Sequence, residues 1–238
     1  MIHTLGKISA KSMEADVCVE LVRTCREDHD AKVAILVGDD DSSTICQVRN
    51  SVTYDVEKWS DINHAKRTLG NMLYSLQSQH KNNKNISGKV IEYLQRCFSY
   101  AIKQNNDNPE GVKSGLATVV PHAFGDHSKC SSSWCGYLKD PEHYTHSNLP
   151  QGKDLQGETL WTNLEEIFDE FTNNSEKLAP LGSSQANEAL NNTIGSKAPK
   201  IRHYGSSESN DFRVACAVSQ KNIGHSYVAE VRYNKLVR

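Results

Sequence analysis

Lys32-Val-Ala-Ile-Leu-Val-Gly38 is a short apolar run rich in β-branched residues, and it ends abruptly in the polar residues Asp39-Asp-Asp-Ser-Ser-Thr44. A run of this length bounded by turn residues is typical of a buried strand in a parallel sheet. We expect this strand over Val33–Val37, at the centre of a sheet. The acidic residues then lie at the C-terminal end of the strand, where α/β sheets generally place their ligands.

The residues around this run indicate an α/β fold in which helices dominate. Residues 12–27 carry an apolar side chain at every fourth position, which predicts an amphipathic helix. The predicted apolar stripe consists of Met13, Val17, Leu21 and Cys25, with Val22 beside it. A short helix at 43–50 and a strand over Tyr54–Trp59 are predicted to follow. This order of elements favours a sheet covered by helices over a helical bundle.

A long helical segment follows from residue 61 to residue 179. Apolar stripes at helical spacing predict long helices there, and these begin near Ile62, Val90, Pro109 and Leu160. A Cys/His-rich segment at 122–146 separates the third of these helices from the fourth. Short helices are predicted at 183–196 and 209–233.

Composition and charge restrict the classes of function. No run approaches the roughly 18 apolar residues of a membrane-spanning helix, and Met1–Asp16 lacks the apolar centre of a secretory signal. We therefore expect the cytosol or nucleus, and no disulfide framework among the seven cysteines. A net charge of −2 argues against an autonomous high-affinity DNA-binding module. A nuclease core is still compatible with this charge, because its carboxylates offset the basic groups that hold phosphates.

The Cys/His-rich segment supplies four candidate zinc ligands at spacings of five, three and five, namely His122, His127, Cys130 and Cys135. Zinc takes four nitrogen or sulfur ligands in a tetrahedral arrangement, and close pairs on a short loop suit a structural site. The spacing is not that of a standard zinc finger, and His143 or His146 could replace His122. The alternative is a polar loop that Trp134 anchors to the helices.

Two acidic features have ordinary explanations when each is taken alone. The adjacent carboxylates of Asp39–Asp41 repel one another, and a divalent cation would relieve that repulsion. The alternative is an acidic turn in which Asp41 or Ser42 starts a helix. Glu188 lies on a predicted helix near the face opposite the apolar residues, where a glutamate is usually just solvated.

Four segments in register resemble the Mutator-like transposases. They are Ala34-Ile-Leu-Val-Gly-Asp-Asp-Asp-Ser-Ser43, Asp61-Ile-Asn-His-Ala-Lys-Arg67, Trp134-Cys135 and Gln185-Ala-Asn-Glu-Ala-Leu-Asn191. The resemblance covers the chain from about Met13 to about Val231. It implies a ribonuclease-H-like fold in which two aspartates and a glutamate hold two divalent ions, Mg²⁺ or Mn²⁺, for DNA cleavage and strand transfer.

The resemblance also implies roles for particular residues. Asp39 corresponds to the second catalytic acid and Glu188 to the third, with Asp41 as a possible additional acid. Residues 12–60 and 180–235 then form a partial ribonuclease-H-like core, and 61–179 form a helical insertion that contains the Cys/His-rich segment. The implied partner is DNA at the ends of a transposable element, in the nucleus, and a homo-oligomer is left open.

The chain departs from the family pattern at two places. The aspartates before Asp39 are Asp16, Asp28 and Asp30, and none of them follows an apolar strand. We therefore expect the strand with the first acid to be missing, and the chain to be inactive by itself. The second departure lies where the family often has Cys-x-x-His.

Where the family often has Cys-x-x-His, this chain has Asp61-Ile-Asn-His64. We interpret Asp61 as a helix N-cap, and His64, Lys66 and Arg67 as candidate DNA contacts.

The alternative function is that of a non-catalytic domain that binds DNA or a protein and carries a structural zinc. Such a domain would be a remnant of a transposase or one recruited by the host. A third possibility is a helical protein that contains a structural zinc and does not bind nucleic acid.

Overall fold

A computed structural model describes residues 10–39, 42–79, 86–202, 204 and 207–229. The chain divides into two compact units, Met1–Ser183 and Ser184–Arg238. Asp41, the additional acid, lies outside the described residues. No helix in the described part of the chain is long and apolar enough to cross a membrane.

The first unit begins with two helix–strand pairs, and this confirms an α/β fold dominated by helices. The elements are α1 (Ala10–His29), β1 (Ile35–Gly38), α2 (Ser42–Ser51) and β2 (Glu57–Ser60). The two strands are parallel, with Ile35 opposite Glu57 and Gly38 opposite Ser60. Parallel strands place both C-terminal ends at one edge of the sheet.

Both strands begin later than the sequence predicted, and β1 is neither buried nor central. Ile35 is 38% exposed, and the other three residues of β1 are half-buried. In the part of the chain that the structure describes, β1 pairs with β2 alone. An apolar run predicts a strand but not how many neighbours cover it, which explains the error.

The predicted apolar stripe of α1 also lies on the wrong face. Met13, Val17 and Leu21 are 54%, 52% and 61% exposed, whereas Ala15 and Val22 are buried. Val22 joins a small hydrophobic cluster with Ile45, Val48 and Val56, against which Cys18 and Val19 pack. The face of α1 that packs on the small hydrophobic cluster is therefore not the predicted stripe but a neighbouring face of the helix.

The rest of the first unit is helical, as predicted. It contains α3 (Ile62–Gln79), α4 (Gly88–Gln104), α5 (Pro109–Ala123), α6 (Gly136–Lys139), α7 (Glu158–Thr172) and α8 (Ser175–Leu178). The starts of α4 and α5 are fixed by N-caps, since Ser87 Oγ accepts from the Val90 N–H and Asn108 Oδ1 accepts from the Gly111 N–H. Proline at the first position of α5 suits a helix start.

These helices enclose the main hydrophobic core of the first unit. Phe98 and Leu164 are fully buried, and Phe98 packs edge-to-face on Phe171 with ring centroids 5.0 Å apart. The core residues run from Ala65 to Ala179, and the small cluster of the first helix–strand pairs is separate from them. The assignment of 12–60 and 180–235 to one core stays a prediction.

The second unit contains α9 (Gln185–Lys197) and α10 (Glu208–Ile223), which pack on each other. Arg213 Nη1 donates to the Lys197 carbonyl at 2.6 Å, and Ala217 on α10 is fully buried. None of the residues of α9 is buried.

Candidate metal centre and candidate catalytic acids

Four side chains of the first unit form a compact cluster, which we call the Cys/His cluster. It consists of His122, His127, Cys130 and Cys135, the four candidate ligands from the sequence. Their ligand atoms all lie within 4.8 Å of one another. Among the residues that the structure describes, it is the only group of three or more His, Cys, Asp and Glu side chains that could hold a metal ion.

Local backbone structure brings the four residues together. His122 lies in the last turn of α5, and Gly125 with φ +83° reverses the chain after the helix, a conformation that suits glycine. The loop then turns twice, because the Cys130 N–H donates to the His127 carbonyl and the Cys135 N–H donates to the Ser131 carbonyl. Cys135 is the residue before α6.

The distances fit a tetrahedral zinc ion. Zinc bonds of about 2.0 Å to nitrogen and 2.3 Å to sulfur put two nitrogens about 3.3 Å apart, and a nitrogen and a sulfur about 3.6 Å apart. The two Nδ1 atoms of His122 and His127 are 3.0 Å apart. The four distances from these atoms to the Cys130 and Cys135 Sγ atoms are 3.4, 3.8, 4.0 and 3.6 Å. The cluster can therefore hold a metal such as zinc.

The two other histidines of the segment lie outside the cluster. His143 is 80% exposed, with its Nδ1 3.1 Å from an Asp140 carboxylate oxygen. His146 is buried, and its Nε2 lies 3.1 Å from the His122 carbonyl oxygen. A carbonyl only accepts, so His146 Nε2 carries the hydrogen and donates it. His146 therefore supports His122 and does not replace it.

Aromatic rings surround the histidine ligands, and the sequence analysis missed most of them. The His127 ring stacks on Tyr137 at 4.1 Å, and Tyr144 contacts His127 edge-on at 5.3 Å. Trp134 contacts His122 edge-on at 5.2 Å, as expected for the loop anchor. The repeated aromatic residues at 134, 137 and 144 were the available signal.

Burial favours the neutral forms of His122 and Cys130 in the metal-free cluster. It lowers the pKa of His122 to about 4, and electrostatic repulsion from the neighbouring His146 and His127 acts in the same direction. Burial also raises the pKa of Cys130 to about 12, assisted by the neighbouring Cys135. A bound divalent ion supplies the charge that favours thiolates, so metal binding releases protons.

Asp39 lies at the C-terminal edge of the sheet, directly after β1, and its side chain is exposed. Asp61 follows β2 at the same edge, and its N–H donates to the Gly38 carbonyl at 2.8 Å. Asp61 is 4% exposed, and its Oδ1 accepts from the Asn63 and His64 N–H groups at 2.8 and 2.9 Å. The interpretation of Asp61 as the N-cap of α3 is confirmed.

The candidate DNA contacts lie on the first turns of α3, which starts at this edge. His64 and Lys66 are half-buried, and Arg67 is exposed. The Lys66 carbonyl accepts from Gln95 Nε2 of α4 at 3.1 Å, which fixes α3 against α4. Contact with DNA stays a prediction for all three residues.

Glu188 lies in the first turn of α9, in the second unit, and is exposed. Its N–H donates to the Ser184 carbonyl at 3.0 Å. Asp39 belongs to the first unit, so the proximity of the Asp39 and Glu188 carboxylates stays a prediction.

The three aspartates that precede β1 do not follow a strand. Asp16 is an exposed residue of α1, and Asp28 lies in the last turn of α1. Asp30 lies between α1 and β1 with φ +48°. None of the three has the position that a first catalytic acid would have.

Comparison with known proteins identifies the family. A family model described as Mutator-like transposase matches residues 5–135, more than half of the chain. The matched range includes Asp39, the start of α3 and the whole Cys/His cluster, and it ends before Glu188. No curated protein and no solved structure matches the chain. The chain belongs to the Mutator-like transposase family.

Proposed function

We propose that this chain is part of a DNA transposase catalytic domain and supplies two acids, Asp39 and Glu188, to a metal-dependent DNA-cleaving centre. The observation that carries the proposal is the position of Asp39 at the C-terminal edge of a parallel sheet, in a chain of a transposase family. Ligands of α/β sheets generally bind at this edge. We propose a partial ribonuclease-H-like core around it.

The path of the chain supports Glu188 as the partner of Asp39. Gly182 lies against this edge, because its carbonyl accepts from the Ile62 N–H at 3.1 Å. A Cβ atom at Gly182 would come within 2.9 Å of the Ser60 carbonyl oxygen and of Val37 Cγ1, so only glycine fits. Glu188 follows six residues later, a span of at most about 20 Å of extended chain. This chain length is compatible with the proposed pairing of Glu188 with Asp39.

The two carboxylates suit a divalent ion but do not make a full set of ligands. Both are exposed, and carboxylate oxygens are ligands that Mg²⁺ and Mn²⁺ prefer. When bound, such ions activate the attacking oxygen and stabilise the leaving oxygen. Asp39 and Glu188 would hold and orient the ions, with a first acid supplied by a strand outside residues 1–238. Without that acid we expect no cleavage.

The Cys/His cluster has a separate, structural role in this proposal. The four ligands occupy every position of a tetrahedral ion, which is typical of a structural zinc, whereas a catalytic zinc keeps an open position. The ion would fasten the loop after α5. We further propose that the protein acts in the nucleus on DNA at element ends.

A second candidate function is a non-catalytic domain that binds DNA or a protein. It is favoured by the range of the family match, which includes the whole Cys/His cluster and ends before Glu188. It predicts that Asp39 and Glu188 are dispensable for whatever the protein does, whereas the Cys/His cluster is not.

Cleavage of labelled DNA with Mg²⁺ or Mn²⁺ distinguishes the two functions. We expect no nicking by residues 1–238 alone, and metal-dependent nicking once a strand hairpin carrying an aspartate is joined ahead of α1. Asp39→Asn and Glu188→Gln should abolish this activity, and the control variants Asp30→Asn and Glu208→Gln should retain it. Nicking that survives Asp39→Asn would contradict the assignment.

A further inference from the structure

A pocket of about 640 Å³ opens beside the Cys/His cluster, between α4, α5 and the loop 124–135 that joins α5 to α6. Among the residues that the structure describes, its lining includes two cationic side chains, Arg96 of α4 and Lys129 of the loop, and no aspartate or glutamate. Arg96 Nη2 donates to Asn148 Oδ1 at 3.2 Å, which holds the guanidinium at the pocket. The net charge of the chain is −2, so a pocket with cations and no acids is a local feature that favours an anionic ligand.

Aromatic rings supply a second kind of contact in the same pocket. Tyr100 and Trp134 line it and are 48% and 36% exposed, although large aromatic side chains are usually more buried. Exposed aromatic rings beside cations are the elements with which proteins bind unpaired bases, because every base has a π-face to stack. The exposed amide side chain of Gln104 adds a hydrogen-bonding group of the kind that reads base edges.

We propose that the pocket binds one unpaired nucleotide of DNA, with its base on the exposed aromatic rings and its phosphate at Arg96 and Lys129. The volume suits a single nucleotide and not a base-paired duplex, because it lies in the usual range of small-ligand pockets, about 300–1,000 Å³. Proteins that handle a base outside the double helix commonly hold it in such a pocket. The inference rests on the proposed function only in taking DNA as the substrate.

The test compares two fluorescent duplexes of one sequence, one fully paired and one with a single unpaired 2-aminopurine. Affinity is measured by anisotropy, and base stacking is measured by quenching of the 2-aminopurine emission. We expect the unpaired duplex to bind more tightly and to be quenched. Tyr100→Ala should weaken that binding about 5- to 150-fold, as the loss of one base–aromatic contact does. Lys129→Ala should weaken it too, with the zinc content unchanged.

Matched controls exist for both variants. Tyr74→Ala removes a tyrosine of similar exposure, 52%, on α3, and Lys177→Ala removes an exposed lysine of α8. Neither residue lines the pocket, so neither variant should change the preference for the unpaired duplex. Equal binding of the two duplexes, or equal effects of pocket and control variants, would overturn the pocket proposal and leave the proposed function standing. Binding of neither duplex would also overturn the pocket proposal, whereas the proposed function is tested separately by the cleavage assay.

Discussion

Replacing Cys135 with serine should remove the bound metal and destabilise the first unit. Cys135 is fully buried, and its Sγ lies 3.6 Å from the His127 Nδ1 and 4.0 Å from the His122 Nδ1. A serine hydroxyl is a poor zinc ligand, so three ligands would remain. The cross-link between the end of α5 and the start of α6 is then lost.

The size of the effect follows from the free energy of zinc binding, because the ion binds the folded chain and leaves on unfolding. A ligand that binds only the folded chain stabilises it by about 2.7 kcal/mol when free ligand is present at about 100 times its Kd. In a domain of about 150–250 residues, 1 kcal/mol shifts the melting temperature by about 2–4 °C. At that excess of zinc we expect Cys135→Ser to lower the melting temperature by about 5–11 °C.

The assay combines metal analysis with thermal unfolding. Purified protein should carry about one equivalent of zinc, as four ligands around one ion imply. Cys130→Ser and Cys135→Ser should both lose it. A chelator should lower the melting temperature of the unsubstituted protein by a similar amount and leave Cys135→Ser unchanged. Cys25→Ser is the matched control for Cys130→Ser, because both residues are half-buried cysteines and Cys25 lies outside the cluster.

Two results would refute this reasoning. The first is a well-folded protein that is purified without metal and does not take up zinc. The second is zinc that stays bound in both Cys130→Ser and Cys135→Ser, which would place the ion elsewhere.

Three further predictions concern stability. In chelator, acidification from pH 7.5 to 5 should lower the free energy of unfolding measured in urea. His122 has its pKa lowered from the ordinary 6.5 to about 4, so the unfolded chain takes up the proton first; unchanged stability would contradict this. Phe98→Ala should cost about 3–5 kcal/mol in urea unfolding because Phe98 is fully buried, whereas Phe212→Ala, at 69% exposure, should cost little. Asp61→Ala should cost about 0.5–2 kcal/mol through loss of the α3 N-cap, and Asp61→Asn clearly less.

Local patterns in the sequence predicted what depends on near neighbours along the chain. The long helices were predicted because each has one clear apolar stripe and a recognisable start, such as Asn108 followed by Pro109. The Cys/His cluster was predictable for the same reason, since its four ligands lie close together in sequence, at the end of α5 and in the segment that follows it. The choice of His122 over His143 and His146 needed coordinates, because it depends on how α5 ends.

Features that depend on distant parts of the chain could not be predicted. Helix α1 has apolar residues on most of its circumference, so the sequence allowed the stripe of Met13, Val17 and Leu21 as well as the one of Ala15 and Val22. Packing against α2 selects the second. The exposure of β1 depends on the number of strands beside it, which no local pattern encodes. The pocket beside the cluster joins α4, α5 and the loop, and the sequence analysis did not identify it.

We propose that Asp39 and Glu188 hold the same divalent ions, and iron-mediated cleavage of the polypeptide tests this pairing most directly. Fe²⁺ can replace Mg²⁺ at carboxylate ligands, and with ascorbate and peroxide it generates radicals that cut the backbone close to the ion. With the Cys/His cluster saturated by zinc, mass spectrometry should find cuts near both residue 39 and residue 188. Excess Mg²⁺ should suppress both, and Asp39→Asn should abolish both. Cuts near only one residue, or cuts that Mg²⁺ does not suppress, would contradict the account.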